Sequence, residues 1–316
     1  MFDCSIIIIS YNVRDLLRDC LNSIVHSPIA LNTPHGNLPT IEILVIDSAS
    51  QDDSVTMLKN EFPQVRLFAH SDNIGYTKGN NIGLAHAQGR NVFLLNPDTV
   101  LLGDALPQLI RYLDENPAIG IVGPYTLNSD GSTQSSRRRF PTRLTAFFES
   151  TWLQPYAPPN MLKRFYVQDA PDTASMAVDW VQGSALMAKR AVYEQIGGLD
   201  EGYTMYSEEL DWCKRAKNAG WGVYFLGTAQ IIHHGGKSSE QVGAMKHIYF
   251  QQSKLRYHRN YHGRGFALGL RLFLLCGYLW QIALEFGKSL LGNQKPMRQA
   301  RIRTYWQVIR SGLFVS

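Results

Sequence analysis

Cysteine is scarce and scattered in this chain. Cys4, Cys20, Cys213 and Cys276 form no C-x-x-C pair, and no histidines stand at zinc-finger spacing. That argues against a disulfide framework or a structural zinc and for a reducing compartment. There is no Walker loop, and the turn after the first apolar run, Ser10-Tyr11-Asn12-Val13-Arg14, lacks the glycines of a dinucleotide fingerprint. The most apolar stretch, Gly265 to Leu291, is interrupted by Arg271, Gln281, Glu285 and Lys288. Its uncharged core, Leu272 to Leu284, has 13 residues, short of the ~20 that cross a bilayer. The N-terminus enters a strand-like run without the basic, apolar and small-residue regions of a signal peptide, so a cytoplasmic protein is expected. Acids are nearly missing from the tail. From Lys237 onward 13 Lys and Arg face two acids, a net +11, which leaves −6 on residues 1–236. An acidic body with a basic tail suggests two regions facing different partners.

What is present describes a folded globular chain: 316 residues, 45% apolar and 18% charged, enough for one large domain or two smaller ones. The stretch Asn91 to Thr99, NVFLLNPDT, runs four apolar residues into Asn96-Pro97-Asp98. A continuous apolar run stopped by proline reads as a buried strand of a parallel sheet. In open α/β sheets the ligand crevice lies beyond the carboxyl ends of the strands, where Asp98 would stand. Asn-Pro-Asp is also ordinary turn chemistry.

Similar strands are expected at Ser5–Ser10, Ile41–Ile46, Val65–Phe68 and Ile119–Val122, alternating with helices over 13–25, 53–60, 78–87 and 104–114. That alternation means a mostly parallel, doubly wound sheet. Asp72 to Gly83 is dense in glycine, so the backbone can approach a ligand closely and the following helix can aim its amides at an anion. Arg137-Arg138-Arg139 is either a solvated face or a cradle for a diphosphate. Ser207 is a sensible N-cap for a helix over 208–219 that opens on Glu208-Glu209, with Asp211 next and Gly220 closing it. Two separate last strands, Val223–Leu226 and Gln230–Ile232, precede His233-His234-Gly235-Gly236.

Taken in order, SIIIISYN, EILVIDSASQDDS, NIGYTKGNNIG, LLNPDT, VQGSALMAKR, MYSEELDWCKRAKNAGW and IIHHGGKSS form a specific set. The chain resembles the family 2 glycosyltransferases of the GT-A fold, in particular the bacterial rhamnosyltransferase-like branch of cell-surface polysaccharide assembly, over about residues 3–240. The fold implied is α/β, a Rossmann-like twisted sheet flanked by helices, spanning residues 1–238, with a helical C-terminal extension over 239–316. The resemblance places Tyr11, Asp47 and Ser50 at the base and ribose of a nucleoside diphosphate sugar, and Asn73, Gly75 and Asn80 in the donor loop. Asp98 matches the last Asp of the family's D-x-D-like motif, and His233, rather than His234, matches the histidine that completes a Mg²⁺ or Mn²⁺ site. Glu208-Glu209 aligns with the family's Glu-Asp pair, whose second carboxylate is the base; Glu209 is one methylene longer than that Asp. Gly183 and Ser184 would line the acceptor side, with Arg138 and Asp211 serving the acceptor or the diphosphate.

The implied reaction is inverting sugar transfer, with dTDP-rhamnose as favoured donor, to a glycan or lipid-linked acceptor. The alternatives are a non-catalytic nucleotide-sugar binding module and, less favoured, a sugar-1-phosphate nucleotidyltransferase. No nucleic-acid motif accompanies the basic tail, and homodimerisation is left open. For the tail itself two readings stand: a helical hairpin packed against the catalytic domain, or, favoured, a helix lying in an anionic membrane surface at the inner face of the plasma membrane. There Lys288, Lys295, Arg298, Arg301, Arg303 and Arg310 would meet headgroups.

Overall fold

A computed structural model describes residues 2–235, 244–292 and 294–315. Gly236 and Ser238, on which the motif beginning at His233 aligns, lie outside the described residues. The chain divides into two compact units. The first gathers Met1–Phe140, Tyr166–Glu201 and Glu209–Ser238; the second gathers Pro141–Phe165, Gly202–Glu208 and Ser239–Ser316.

In the first unit the strands are β1 (Cys4–Ser10), β2 (Ala30–Leu31), β3 (Thr40–Ser48), β4 (Arg66–His70), β5 (Asn91–Leu95), β6 (Thr99–Leu101), β7 (Ile119–Leu127), β8 (Thr133–Gln134), β9 (Arg137–Arg138), β10 (Met176–Ala177), β11 (Trp180–Val181), β12 (Ala185–Lys189) and β13 (Gly222–His233). Its helices are α1 (Arg14–Val25), α2 (Ser54–Glu61), α3 (Tyr76–His86) and α4 (Ala105–Glu115) and, later in the chain, α7 (Arg190–Ile196) and α8 (Glu208–Asn218). The main sheet runs β10-β13-β7-β12-β5-β1-β3-β2, with β4 on β3, β6 on β13 and β8 on β7. β1 is parallel to both β3 and β5, whereas β12 is antiparallel to β5 and β7, so the sheet is mixed where the alternation predicts mainly parallel pairing. β13 is one strand with a register shift between Leu226 and Gln230, not the two strands expected.

The uniform apolar runs of β1, β3 and β5 resolve into two faces with the period of two that a pleated strand imposes. Ile6, Ile8, Ile43, Val45, Phe93 and Leu95 pack with Leu17, Leu21, Leu58, Leu106 and Leu109. On the other face Ile7, Ile9, Leu44, Ile46, Val92 and Leu94 meet Leu84, Val192, Trp212 and Cys213. Covering both faces makes such a strand apolar throughout. Each fully buried aliphatic side chain is worth about 1.5–3 kcal/mol.

Two backbone details bear on the site. Gly83 of α3 lies so near β1 that a Cβ there would sit 2.3 Å from Ile7 Cγ2. Ser207 has φ +64° and Tyr206 +71°, so the serine is not in the extended conformation usual for a capping residue.

The second unit is helical: α5 (Thr145–Phe148), α6 (Pro159–Phe165), α9 (Ala244–His262), α10 (Arg264–Leu290) and α11 (Lys295–Ser311). Ala146, Ile248, Leu255, Leu270, Leu274, Val308 and Leu313 form its core. The 27 residues of α10 are, by length and composition, long and apolar enough to cross a membrane, and 22% of its most apolar window is buried. Leu268, Leu272, Leu279, Trp280, Phe286 and Leu290 on this helix are exposed. One side of α10 thus packs within the second unit and another side does not. Arg298 is buried against Glu285 at 2.7 Å, and Arg301 reaches the same carboxylate at 3.4 Å. Arg298 thus departs from the expectation of surface charges, whereas Lys288, Lys295, Arg301, Arg303 and Arg310 are exposed.

Gly83→Ala should destabilise the protein by about 1–3 kcal/mol, since the methyl must displace Ile7 in a filled core. The measure is the urea midpoint, with an unchanged midpoint contradicting the close approach of α3 to β1.

Candidate active site

The parallel register of β1 with β3 and β5 sets Ser10 opposite Asp47 and Ile8 opposite Leu95. β12 begins with Ala185 opposite Leu95, and Asn96 N–H donates to the Ser184 carbonyl at 2.9 Å. Ser10, Asp47, Asn96 and Ser184 therefore share one edge of the sheet. Along it Ser10 Oγ, Asp47 Oδ2, Asn96 Oδ1, Gln182 Oε1, Ser184 Oγ and Glu209 Oε2 are buried and have no hydrogen-bond partner among the described residues. An unsatisfied buried polar atom costs about 1–3 kcal/mol, and proteins concentrate such atoms where a ligand completes them.

At one end the loops after β1 and β3 are tied together. Asn12, at φ +52°, donates its N–H to Ser50 Oγ (2.9 Å), and its side-chain Oδ1 accepts from Gln51 N–H (2.8 Å). Asp47 uses Oδ1 to accept Ser50 N–H at 2.9 Å. Tyr11 is half-buried beside this lacing. Asn73 Oδ1 accepts from Ser48 Oγ and from Gly75 N–H, each at 3.0 Å. Gly75 holds φ +77° and ψ 170°, a conformation that suits only glycine. Asn80, by contrast, is 1% exposed and donates to the Tyr76 carbonyl inside its own helix. It shapes the start of α3 and is not presented at the edge.

At the centre Asp98 Oδ1 lies 3.2 Å from His233 Nε2, both residues being buried. The ring is fixed from behind. Gln134 Nε2 donates to Asn128 Oδ1 at 2.8 Å, which leaves its Oε1 to accept from His233 Nδ1 at 2.6 Å. With a hydrogen on Nδ1, Nε2 is the ring atom that faces Asp98, and Asn96 Nδ2 stands 3.3 Å from the same nitrogen. Two acceptors this close call for a proton or a cation between them. A two-residue set of carboxylate and imidazole fits a divalent ion whose other ligands are phosphate or water oxygens. Among the described residues no group of three or more His, Cys, Asp or Glu could hold a metal. His234 is turned away, with Nδ1 2.8 Å from Ser129 Oγ.

At the acceptor end Glu209 packs against Gly183, where a Cβ would sit 3.4 Å from Glu209 Cβ and Cγ. Glycine lets the carboxyl lie flat on the backbone. Burial pushes the Glu209 carboxyl above the usual carboxylate range, opposed by backbone N–H groups of Glu209, Gly183 and Leu210 and by the charge of Arg138. Tyr76 Oη donates to the Gly183 carbonyl at 2.9 Å and steadies that floor. Glu208 is buried at the start of α8. Asp211 is ion-paired with Arg215 at 2.7 Å, and Arg215 also binds the carbonyls of Ile196 and Gly198. Asp211 thereby anchors α8 to the end of α7. Arg138 bonds Ser135 Oγ and lies 4.8 Å over the Tyr166 ring. Its neighbour Arg137 is buried among the carbonyls of Val167, Ala170, Pro171 and Ala174. The arginine triplet is therefore no single cradle, since one member holds a loop together.

The family model for glycosyl transferase family 2 matches residues 5–175, more than half of the chain. The chain belongs to glycosyl transferase family 2. Within the family it is 28% identical over 205 residues to the N-acetylglucosaminyl-diphospho-decaprenol L-rhamnosyltransferase of Mycobacterium tuberculosis, an alignment spanning 61% of this chain and 66% of that relative. It is 23% identical over 191 residues to rhamnosyltransferase WbbL of Escherichia coli, covering 58% of this chain and 69% of WbbL. Among solved structures, the mannosyltransferase PcManGT of Pyrobaculum calidifontis, determined with GDP-Man and Mn²⁺, superposes with a TM-score of 0.55 at 14% identity over 98% of this chain and 88% of the other. At that identity the likeness speaks for the GT-A fold alone.

Sequence reasoning did not find Asn96, Gln134, Tyr76 or Gln182. Asn96 and Gln182 adjoin motifs and were open to reading. Gln134 and Tyr76 act across 99 and 107 residues of chain, a pairing that no local pattern announces.

Glu209→Gln should stabilise the fold above the raised titration point of Glu209 and have little effect below the ordinary glutamate range. A buried carboxyl whose pKa is raised on folding favours the protonated state, so stability falls as pH rises through that window. Urea unfolding at pH 4 and pH 8 reads it; equal stability of the two proteins at pH 8 would contradict the burial.

Proposed function

We propose that this chain transfers a sugar, with inversion, from a nucleoside diphosphate sugar to a hydroxyl of a glycan or glycolipid acceptor in cell-surface polysaccharide synthesis. dTDP-rhamnose is the favoured donor, in keeping with the two relatives named as rhamnosyltransferases. The observation that carries this reading is the covered Glu209 carboxyl, backed by Gly183, in the same unit as the Asp98–His233 pair.

The acceptor oxygen attacks the anomeric carbon while the bond from that carbon to the diphosphate oxygen breaks, and the hydroxyl proton passes to Glu209. A base titrating nearer neutrality takes that proton more readily than an ordinary carboxylate. The nucleoside diphosphate leaves from the opposite face, so one displacement inverts the centre and needs no covalent nucleophile. Asp47, Ser50 and Tyr11 receive the nucleoside, Asn73 and Gly75 shape the loop beside it, and Ser184 offers a hydroxyl to the acceptor. Asp98 and His233, beside Asn96, would hold Mg²⁺ or Mn²⁺. Such an ion neutralises charge developing on the leaving diphosphate.

The exposed apolar side of α10, with Lys288, Lys295, Arg303 and Arg310 nearby in sequence, suits a helix lying in an anionic membrane surface. In this reading the protein works at the inner face of the plasma membrane, where a lipid-linked acceptor is presented. Each basic side chain near such a surface contributes about 1 kcal/mol.

With purified protein, dTDP-rhamnose should be hydrolysed or transferred in the presence of Mn²⁺, and Glu209→Gln should lower kcat by about 10²–10⁴-fold. Asp98→Ala and His233→Ala should both abolish the metal dependence; full Mn²⁺-stimulated activity in either variant removes the metal assignment. In flotation, the protein should bind vesicles containing phosphatidylglycerol and detach in high salt. A variant carrying Lys288→Glu, Arg303→Glu and Arg310→Glu should stay in solution, and equal flotation of the two proteins would sink the membrane reading.

A further inference from the structure

Residues 202–207 lead directly into Glu208 and Glu209, and within the second unit they are held by one face of α9. Tyr206 meets Phe250 edge to face, with ring centroids 5.8 Å apart. Ser253, itself buried, donates its hydroxyl to the Met205 carbonyl at 2.8 Å. The Arg256 guanidinium lies 5.3 Å over the Tyr203 ring, and it passes so close under Gly202 that a Cβ there would fall 1.9 Å from Arg256 Cζ. Phe250, Ser253 and Arg256 follow one another at three-residue steps, the spacing of a single helix face.

The segment so held is strained. Tyr206 and Ser207 both adopt left-handed backbone, at φ +71° and +64°. Such residues persist only where their surroundings over-determine them. Two in succession immediately before an acidic pair set the direction in which the next helix starts. The contacts from α9 are what hold this turn from outside the segment.

We propose that α9 is a positioning element of the active site, with Phe250, Ser253 and Arg256 holding the Tyr206–Ser207 turn that aims the Glu209 carboxyl. The proposal rests on the assignment of Glu209 as the base. None of the three touches substrate in this scheme; they act through the backbone of the turn. Misplacement of a reacting group by about 1 Å costs on the order of 10²-fold in rate, so a loosened turn is felt in kcat. The donor is held by loops elsewhere in the chain, so its KM is spared. A looser Glu209 also admits water, which moves the acid limb of the kcat profile down toward the ordinary carboxylate range. The other charged or titratable groups felt at Glu209, namely Arg138, Cys213 and the adjoining Glu208, are unchanged by the substitutions below.

The test measures kcat and donor KM from pH 4 to pH 9 for Ser253→Ala, Gly202→Ala and Ser253→Thr, with Glu209→Gln in the same assay. Ser253→Ala removes the hydrogen bond, and Gly202→Ala displaces the Arg256 guanidinium from its place against the loop. Both should lower kcat by about 10–10²-fold, leave donor KM little changed and shift the acid limb downward. Ser253→Thr keeps the hydroxyl and should restore both readouts. If Ser253→Ala and Gly202→Ala keep the wild-type limb, whether kcat is normal or falls only in step with loss of folded protein, α9 is structural and the proposal is overturned. If Glu209→Gln keeps wild-type kcat, the base assignment itself fails and takes this inference with it. An inactive Glu209→Gln beside normal Ser253→Ala and Gly202→Ala removes the positioning role alone.

Discussion

The candidate site depends on the pairing of β1 with β3 on one side and β5 on the other, both parallel and in continuous register. Parallel strands end at the same edge, so the loops that follow Ser10, Asp47 and Leu95 emerge side by side. β12 then starts from that edge in the opposite direction and carries Gln182, Gly183 and Ser184 with it. A slip of one residue in this register would turn every strand side chain to the wrong face. The two apolar layers thus hold the edge in place, and the chemistry inherits its geometry from packing that makes no contact with substrate.

The central strands were legible because burial on both faces forces apolar runs, and the helices between them because their amphipathic spacing has no other use. The site was legible in a different way. Asp98 and His233 stood out as polar residues at the ends of apolar runs, and the structure brings their side chains within 3.2 Å. What could not be read locally was the state of each group. Asn80 looked like a donor-loop residue, yet its amide turns back on Tyr76 because the helix interior offers a nearer acceptor. The three arginines looked alike, but Arg137 is drawn inward by four carbonyls. The antiparallel entry of β12 was hidden because the side-chain pattern of a strand does not tell in which direction it will pair.

The histidine shows how little of a site has to be unusual. Its ring is oriented by one glutamine amide, and that amide is oriented by Asn128 behind it. Each hydrogen bond in such a chain has a modest net worth, but together they select one tautomer and one direction for a lone pair. Glu209 is handled differently. Backbone N–H groups of Glu209, Gly183 and Leu210 act on its carboxyl, while Oε2 is kept buried with no partner among the described residues. One group is fixed in direction by hydrogen bonding, and the other is shifted by burial against the pull of its backbone donors.

The second unit is assembled from Pro141–Phe165, Gly202–Glu208 and the chain from Ser239 onward. On the ribosome, that order imposes a delay. The first two pieces are synthesised before α9, α10 and α11 exist to receive them, so Ala146 and the loop at 202–208 wait for neighbours made later. Contacts this distant in sequence form slowly because the intervening chain must close first. The nascent protein therefore completes its sheet, and can fold around it, before the turn ahead of the acidic pair gains its support. Synthesis from β13 to α11 acts as a built-in interval between a folded sheet and a supported turn.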